Sequence, residues 1–534
     1  MVLWGASAVS ILITPFSFDP LNVSKFALLS IFGFSIFAAI FSSKEIFDDT
    51  RYRLVLIVSG SFILLSIISL LATRTNAFQQ IFGAQGRHTG FLTYLALTAF
   101  MLGAVIISNN EFIERMIKFL FITGLISLSY GLLQVFDLDP LNWTNSFSPV
   151  IGFLGNPNFQ SSFMAITAIA AFSMLLKSSL RIWLRAIYLI YILLALFSIY
   201  KSNSQQGYLV FGAGFLVVLL FWIKAKFQSK SLISIYLFAT AGVGIATVLD
   251  ILQKAPWTSV LYKESVSNRG DMWRAGWRMT LDHPIFGVGF DNYGDWYRRY
   301  RDTEAITARG VDTISNTAHN VFLDISTSGG VPLLIAYIAI LALTVRAAFR
   351  LLLRTKGFNA PLAGITGAWF AYVAQSLISI NQIGLAVWGW VFSGAIIGYE
   401  IYSREEKQTP NQKTANNLGT VLIGGLFGLI VGIPPLVSDL VYRNAIDSRE
   451  IIKVESAAYQ WPQSGDRMIQ IAATFRDNDL FEQAIKVARD ATKFAPQRYE
   501  AWQILGSLPN LPESERIQVM VKMKELDPFN PNLK

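Results

Sequence analysis

The chain has 534 residues, of which 53% are hydrophobic and 15% charged, a balance too apolar for a soluble protein of this size and one that belongs in a bilayer. A formal net charge of +9 does not point to nucleic acid, because the Lys and Arg residues fall in short loops between apolar runs, as topology signals do. Cysteine is absent, which excludes disulfides, thiol nucleophiles and cysteine-ligated metals.

Apolar runs at 2–16, 26–43, 54–72, 91–108, 116–136, 159–176, 186–200, 207–223, 231–252, 320–345, 360–380, 384–401 and 418–437 make about thirteen spans, the first and seventh being short. The N-terminal run lacks the charged start and small-residue cleavage site of a secretory signal and reads as a span that stays in the protein. In lipid each span must be a helix, since a lone strand would leave its backbone polar groups unpaired. The expected fold is therefore all-α: a polytopic bundle of about 12–13 transmembrane helices.

Loop charge orients the bundle. Lys44, Arg51 and Arg53, then Arg115 and Lys118, Lys177, Arg181 and Arg185, Lys224, Lys226 and Lys230, Arg346, Arg350, Arg354 and Lys356, and Arg404, Lys407 and Lys413 occupy every second loop. The rich side is expected to be cytoplasmic, with the N-terminus inside and the C-terminus outside. The same alternation sends a long polar loop, 253–318, to the exterior.

That loop holds His283, opens onto His319, and is too long and too polar to be a mere connector. Within it, Met272, Ala275, Gly276 and Met279 repeat at helical spacing, with Ser267 as a cap and Pro284 as the stop. DNYGDWYRRYRD predicts a second, shorter helix, and both are expected at the membrane surface, where Trp and Tyr favour the headgroup level. Residues 450–534 change character: Ala472, Phe475, Ala484, Ala488, Ala491 and Pro496, then Trp502, Leu505 and Gly506, fit two tetratricopeptide-like units. Two units are few for independent stability, so they are expected to rest on the transmembrane domain (1–440) or on a partner.

No phosphate-binding glycine loop and no H-E-x-x-H is present, so ATP-driven and zinc-protease chemistry lack machinery. The spans are nearly free of ionisable residues, Asp250 and Asp324 near span ends excepted, which argues against a transport path. His319, in TAHNVFLD, opens the tenth span. A helix N-terminus disfavours imidazolium and attracts phosphate, so His319 reads as a general base toward a hydroxyl or, more plainly, as a capping histidine. Arg269, Arg274 and Arg278 suit a diphosphate because arginine is always charged and binds phosphate through paired hydrogen bonds. Arg298, Arg299 and Arg301 read as headgroup anchors. Arg87 and His88 form a second outer-face polar pair or a solvated loop; His283 reads as structural. Asp137 and Asp139 form a D-x-D, a weak metal signal.

NRGDMWRAGWRMTLDHPIFGVGFDNYGDWY followed by TAHNVFLDISTSGGVPLL, with FLGNPNFQSSF at 153–163, resembles the O-antigen ligase and O-antigen polymerase superfamily. The resemblance implies transfer of a glycan from undecaprenyl diphosphate to an acceptor hydroxyl, with no cofactor or metal, at the outer face of a bacterial inner membrane. It makes Arg269 the diphosphate arginine, His319 the activator of the acceptor and Arg87 a further outer-face arginine, with Trp273 in the shared Arg...Trp helix and Arg274 beside it. Gln205 and Gln206 stand where many relatives carry an arginine. The acceptor is left open between a lipid A core, a growing polymer and a protein hydroxyl. The C-terminal units are expected to dock a partner or acceptor. A lipid-glycan transporter and a membrane scaffold are the rivals from other classes.

Overall fold

The computed structural model describes residues 1–43, 45–73, 75–141, 143, 150–251, 264–404 and 418–533. Lys44, Lys407, Lys413 and the 252–263 part of the large loop lie outside the described residues. Among the described residues the chain is a helical, multi-pass membrane protein with no strand. In chain order the helices are α1 (Val2–Ile11), α2 (Val23–Ser42), the short α3 (Glu45–Asp48), α4 (Arg53–Ala72), the short α5 (Ala77–Phe82), α6 (Phe91–Ile107) and α7 (Asn110–Val135). Then follow α8 (Pro157–Leu175), α9 (Ile182–Lys201), α10 (Gln205–Phe227) and α11 (Lys230–Ile251). The polar loop contributes α12 (Glu264–Asp282), α13 (Tyr293–Tyr300) and α14 (Thr303–Arg309). The last spans are α15 (Val321–Arg354), α16 (Ala360–Ile378), α17 (Ile383–Tyr402) and α18 (Leu418–Ser448). Helices α19 (Ile451–Ala458), α20 (Gly465–Asp477), α21 (Phe481–Phe494), α22 (Tyr499–Gly506) and α23 (Glu513–Leu526) complete the chain.

Among the described residues, 10 helices are long and apolar enough to cross a membrane. The shorter apolar α1 and α6, with α16, occupy the remaining span positions read from the sequence. Close packing in lipid needs small residues, because lipid tails are as apolar as Leu and only contact distinguishes a helix neighbour. Accordingly α18 lays Gly424, Gly428 and Gly432, one per turn, on the backbone of α2 at Phe34, Ile31 and Ala27. Helix α17, the most buried span, sets Gly394 and Gly398 against the backbone of Met101 and Val105 in α6.

At one end of the bundle the interhelical loops knit together through side chain to backbone bonds. Lys25 donates to the carbonyls of Leu12, Leu21 and Phe153 at 2.6–2.9 Å, and Asn22 donates to Gly86 at 2.7 Å. The opposite end is basic: Arg350, Arg354 and Arg404 surround Glu400.

The apolar faces of the loop helices pack on protein. Ala275 and Met279 of α12 are fully buried in a small core with Tyr293, Tyr297 and Ala318, and a Cβ added at Gly276 would lie 3.4 Å from the Ala318 side chain. The sequence periodicity had identified the right face, but it packs on protein. Helix α12 is already helical at Glu264, so Ser267 lies inside it and is not its cap. The helix ends at Asp282, two residues before Pro284.

Arg298, Arg299 and Arg301 are not headgroup anchors either. Arg298 and Arg301 are buried and meet the fully buried Asp527 at 3.2 and 2.7 Å, and Arg298 also reaches Glu500 at 3.1 Å. Arg299 bonds Gln497. Arg498 returns the contact by pairing with Asp295 at 2.7 Å and Asp466 at 2.5 Å. The C-terminal helices thus carry their own apolar cluster and rest on the loop helix α13. They reach the bundle as well, through Asn76 to Phe494 at 3.2 Å and Ser464 to Gln85 at 3.3 Å.

Candidate functional site

Helix α15 begins in a turn built by hydrogen bonds within TAHNVFLD. Asn320 is its cap, accepting from the amides of Phe322 and Leu323 at 3.0 and 3.2 Å and donating to the Leu377 carbonyl of α16 at 2.9 Å. One turn in, Asp324 accepts from the Ala318 amide at 2.8 Å and from the Thr317 hydroxyl at 2.6–2.7 Å. Pinned on both sides, His319 adopts φ = 52°. Such a left-handed conformation costs a non-glycine residue about 1–2 kcal/mol and persists only where its surroundings impose it. The result is an imidazole held half-buried at the mouth of a helix N-terminus.

Two guanidiniums stand near it. Arg87 donates to the Asn316 carbonyl, three residues before His319, and pairs with Asp291 at 3.3 Å. Asp291 is itself fixed by the amides of Ala84 at 2.8 Å and Thr89 at 3.3 Å, so the arginine is anchored through a buried carboxylate. The Arg87 Nε remains buried without a partner. Arg269, on the α12 face that meets α15, is also half-buried. Among the described residues it makes no hydrogen bond and no ion pair, and burial alone lowers its pKa. An unpaired, partly desolvated guanidinium is costly unless an anion completes it. Burial first, then Arg269 and Arg87, push the His319 imidazole down to about 4. It is therefore neutral at ordinary pH and free to accept a proton.

The other residues singled out in the sequence divide into three groups. Trp273, one turn beyond Arg269, has its indole N–H buried with no acceptor, a second unfilled polar position on α12. Arg274 points to carboxylates, pairing with Asp271 and with Asp302 at 2.9 Å, and Arg278 joins Asp302 at 3.5 Å. Their charge is spent on bracing the loop.

Gln205 and Gln206 open α10 in a separate cluster with the N-P-N stretch. Gln206 donates to Ser162 at 3.0 Å, while Ser204 bridges Ser161 at 2.9 Å and Asn158 at 2.7 Å. The side-chain carbonyls of both glutamines are buried and unpaired.

His88 is buried, lies 3.6 Å from Asp19 and stacks on Phe26. His283 lies 3.2 Å from the Tyr300 hydroxyl and edge-on to Trp296. Its turn docks by backbone: the Val288 amide bonds Thr327 at 2.7 Å, and the Val331 amide bonds Pro284 at 2.8 Å. Asp139 is held by Tyr130, Gln134 and the Leu141 amide.

Asp291 and Thr317 escaped the sequence reading, and Asp324 was noticed only as a rare intramembrane acid. The spacing from Thr317 to Asp324, two turns across a helix start, was the one local signal available for the latch. Asp291 carries no such signal, since its partner Arg87 is some two hundred residues away.

Residues 190–338 match the protein family described as O-Antigen ligase. The matched segment includes Arg269, Trp273 and His319 and supports glycan transfer of the O-antigen ligase kind. No curated protein matches the chain.

Proposed function

We propose that the protein transfers a glycan from an undecaprenyl-diphosphate-linked donor to an acceptor hydroxyl at the outer face of a bacterial inner membrane. The observation that carries this reading is Arg269, a guanidinium without a partner among the described residues, in a half-buried site shared with Arg87 and a neutral His319. A diphosphate supplies the anion that this arrangement lacks, and the α15 N-terminus adds its own partial positive charge.

In the reaction, the acceptor oxygen attacks the anomeric carbon as the bond from that carbon to the diphosphate oxygen breaks. The electron pair leaves on the lipid diphosphate, whose charge Arg269 and Arg87 neutralise. The hydroxyl proton passes to His319. A single in-line displacement inverts the anomeric centre. Donor binding also helps the base, because a diphosphate cancels the positive field that depresses the imidazole. Trp273 offers an N–H to donor oxygens; Gln205 and Gln206 offer neutral amide groups to the glycan. Arg274 contributes through Asp271 and Asp302, by holding α12. The basic end of the bundle is assigned to the cytoplasm, which puts the site and the C-terminal helices outside.

The ligase reading is preferred on the family match at 190–338; polymerisation and protein glycosylation use the same donor chemistry with a different acceptor. Comparing surface polysaccharide in a deletion strain with that in strains carrying wild type, Arg269→Gln or His319→Ala tests both levels. Loss of the ladder from its lipid anchor supports a ligase, whereas short, single-unit chains support a polymerase. Wild-type ladders from both variants would remove the assignment of these residues.

A further inference from the structure

At the basic end of the bundle, Arg346, Arg350 and Arg354 follow one another at intervals of one turn along α15. They face the ends of α4 and α17. Between these three helices lies a cleft lined by Arg51, Arg346, Arg350 and Arg404, by Glu400, and by apolar side chains including Leu54, Val55 and Leu343. Glu400 is buried and is the shared partner of Arg350 at 3.7 Å, Arg354 at 3.2 Å and Arg404 at 2.5 Å. One carboxylate neutralises one charge, so among the described residues three arginines around it leave two unbalanced. Arg346 adds a third, since among the described residues it makes no ion pair or hydrogen bond.

Arginines placed only to set topology would snorkel away from one another into water. Here Arg346, Arg350 and Arg404 converge on one cleft. Leu54 and Ile57 of α4 and Ile338 and Val345 of α15 are exposed large apolar residues, on the turns that lead from the arginines toward the middle of the two helices. Basic pockets between transmembrane helices are suited to anionic head groups. A free phosphate would leave these apolar residues unused.

We infer that this cleft binds an anionic phospholipid, its phosphate held by Arg346 with Arg350 and Arg404 and its acyl chains laid against α4 and α15. The site is at the opposite end of the bundle from His319 and does not depend on the transfer chemistry.

Native mass spectrometry of the full-length detergent-solubilised protein, titrated with phosphatidylglycerol, phosphatidylcholine or inorganic phosphate, tests it. The expected result is retention of phosphatidylglycerol at least tenfold better than phosphatidylcholine, with inorganic phosphate competing only weakly. Arg346→Gln, which breaks no ion pair, should abolish the preference, whereas Arg115→Gln, a basic residue of the same end outside the cleft, should keep it. Equal retention of the two lipids, or an unchanged preference in Arg346→Gln, would overturn the site. Full displacement by inorganic phosphate at equal concentration would overturn the lipid as its occupant.

Discussion

Arg269 and Arg274 lie five residues apart on one helix and have opposite electrostatic fates. Arg274 is held by Asp271 and Asp302, whereas Arg269 has burial without a counter-charge among the described residues. Transfer rates should separate them: Arg269→Gln should lose roughly 10²–10³-fold in kcat, as removal of a charge-stabilising donor does, and Arg274→Gln much less. A similar loss in both variants would mean that the residues share one role.

The imidazole gives a sign as well as a size. The His319 pKa, depressed from 6.5 to about 4, leaves the base unprotonated until pH falls well below neutrality. The acid limb of kcat/KM, which reports the free enzyme, should therefore lie below 5. Arg87→Gln removes one source of the depression and should move that limb upward; a limb that stayed put would break the link between Arg87 and His319. All three side chains could be picked out of the sequence, His319 because the chain has only 3 histidines and the two arginines because they fall in polar stretches between apolar runs. Their availability could not, since whether an arginine is paired depends on carboxylates far away in the chain.

Among the elements, the spans were the most legible, because a bilayer leaves an apolar run of that length only one way to satisfy its backbone. The loop helices were legible as helices and not as to what covers them. Arg298, Arg299 and Arg301 look like a basic surface in one dimension; their partners Glu500, Asp527 and Gln497 lie some two hundred residues downstream.

The His283 turn docks on α15 where that helix is broken. Helix α15 breaks at Gly329 and Gly330, and Gly330, at φ = 72°, would place a Cβ 2.5 Å from the Ile285 backbone. Gly330→Ala should therefore push the turn and α12 off α15, costing upward of about 2 kcal/mol from backbone strain and overlap together. Thermal unfolding of the purified variant, set beside the neighbouring exposed Val331→Ala, measures it. Equal melting temperatures would contradict the packing described.

Taken whole, the molecule joins its C-terminal helices to the loop that carries Arg269 through one buried charge network. Asp527 is fully buried between Arg298 and Arg301, so Asp527→Ala leaves the buried Arg301 without its counter-charge and Arg298 with Glu500 alone, at a cost of about 3–5 kcal/mol. The expected consequence is release of the C-terminal helices, seen as faster proteolysis between residues 449 and 465, with transfer reduced as α13 loses its support. Intact C-terminal helices in that variant would show that the network does not hold them. The sequence suggested a repeat unit resting on something; the identity of the support came only from the ion pairs.

The central claim is that Arg269, Arg87 and His319 act together on a lipid diphosphate. It is tested most directly by glycan transfer from a purified polyprenyl-diphosphate donor, measured in liposomes with wild type, Arg269→Gln and His319→Ala. The account predicts weakened donor binding and transfer in Arg269→Gln, and in His319→Ala near-normal donor binding with transfer down roughly 10²–10⁴-fold, the range of a lost general base. Full transfer by His319→Ala, or unaltered donor affinity in Arg269→Gln, would contradict it.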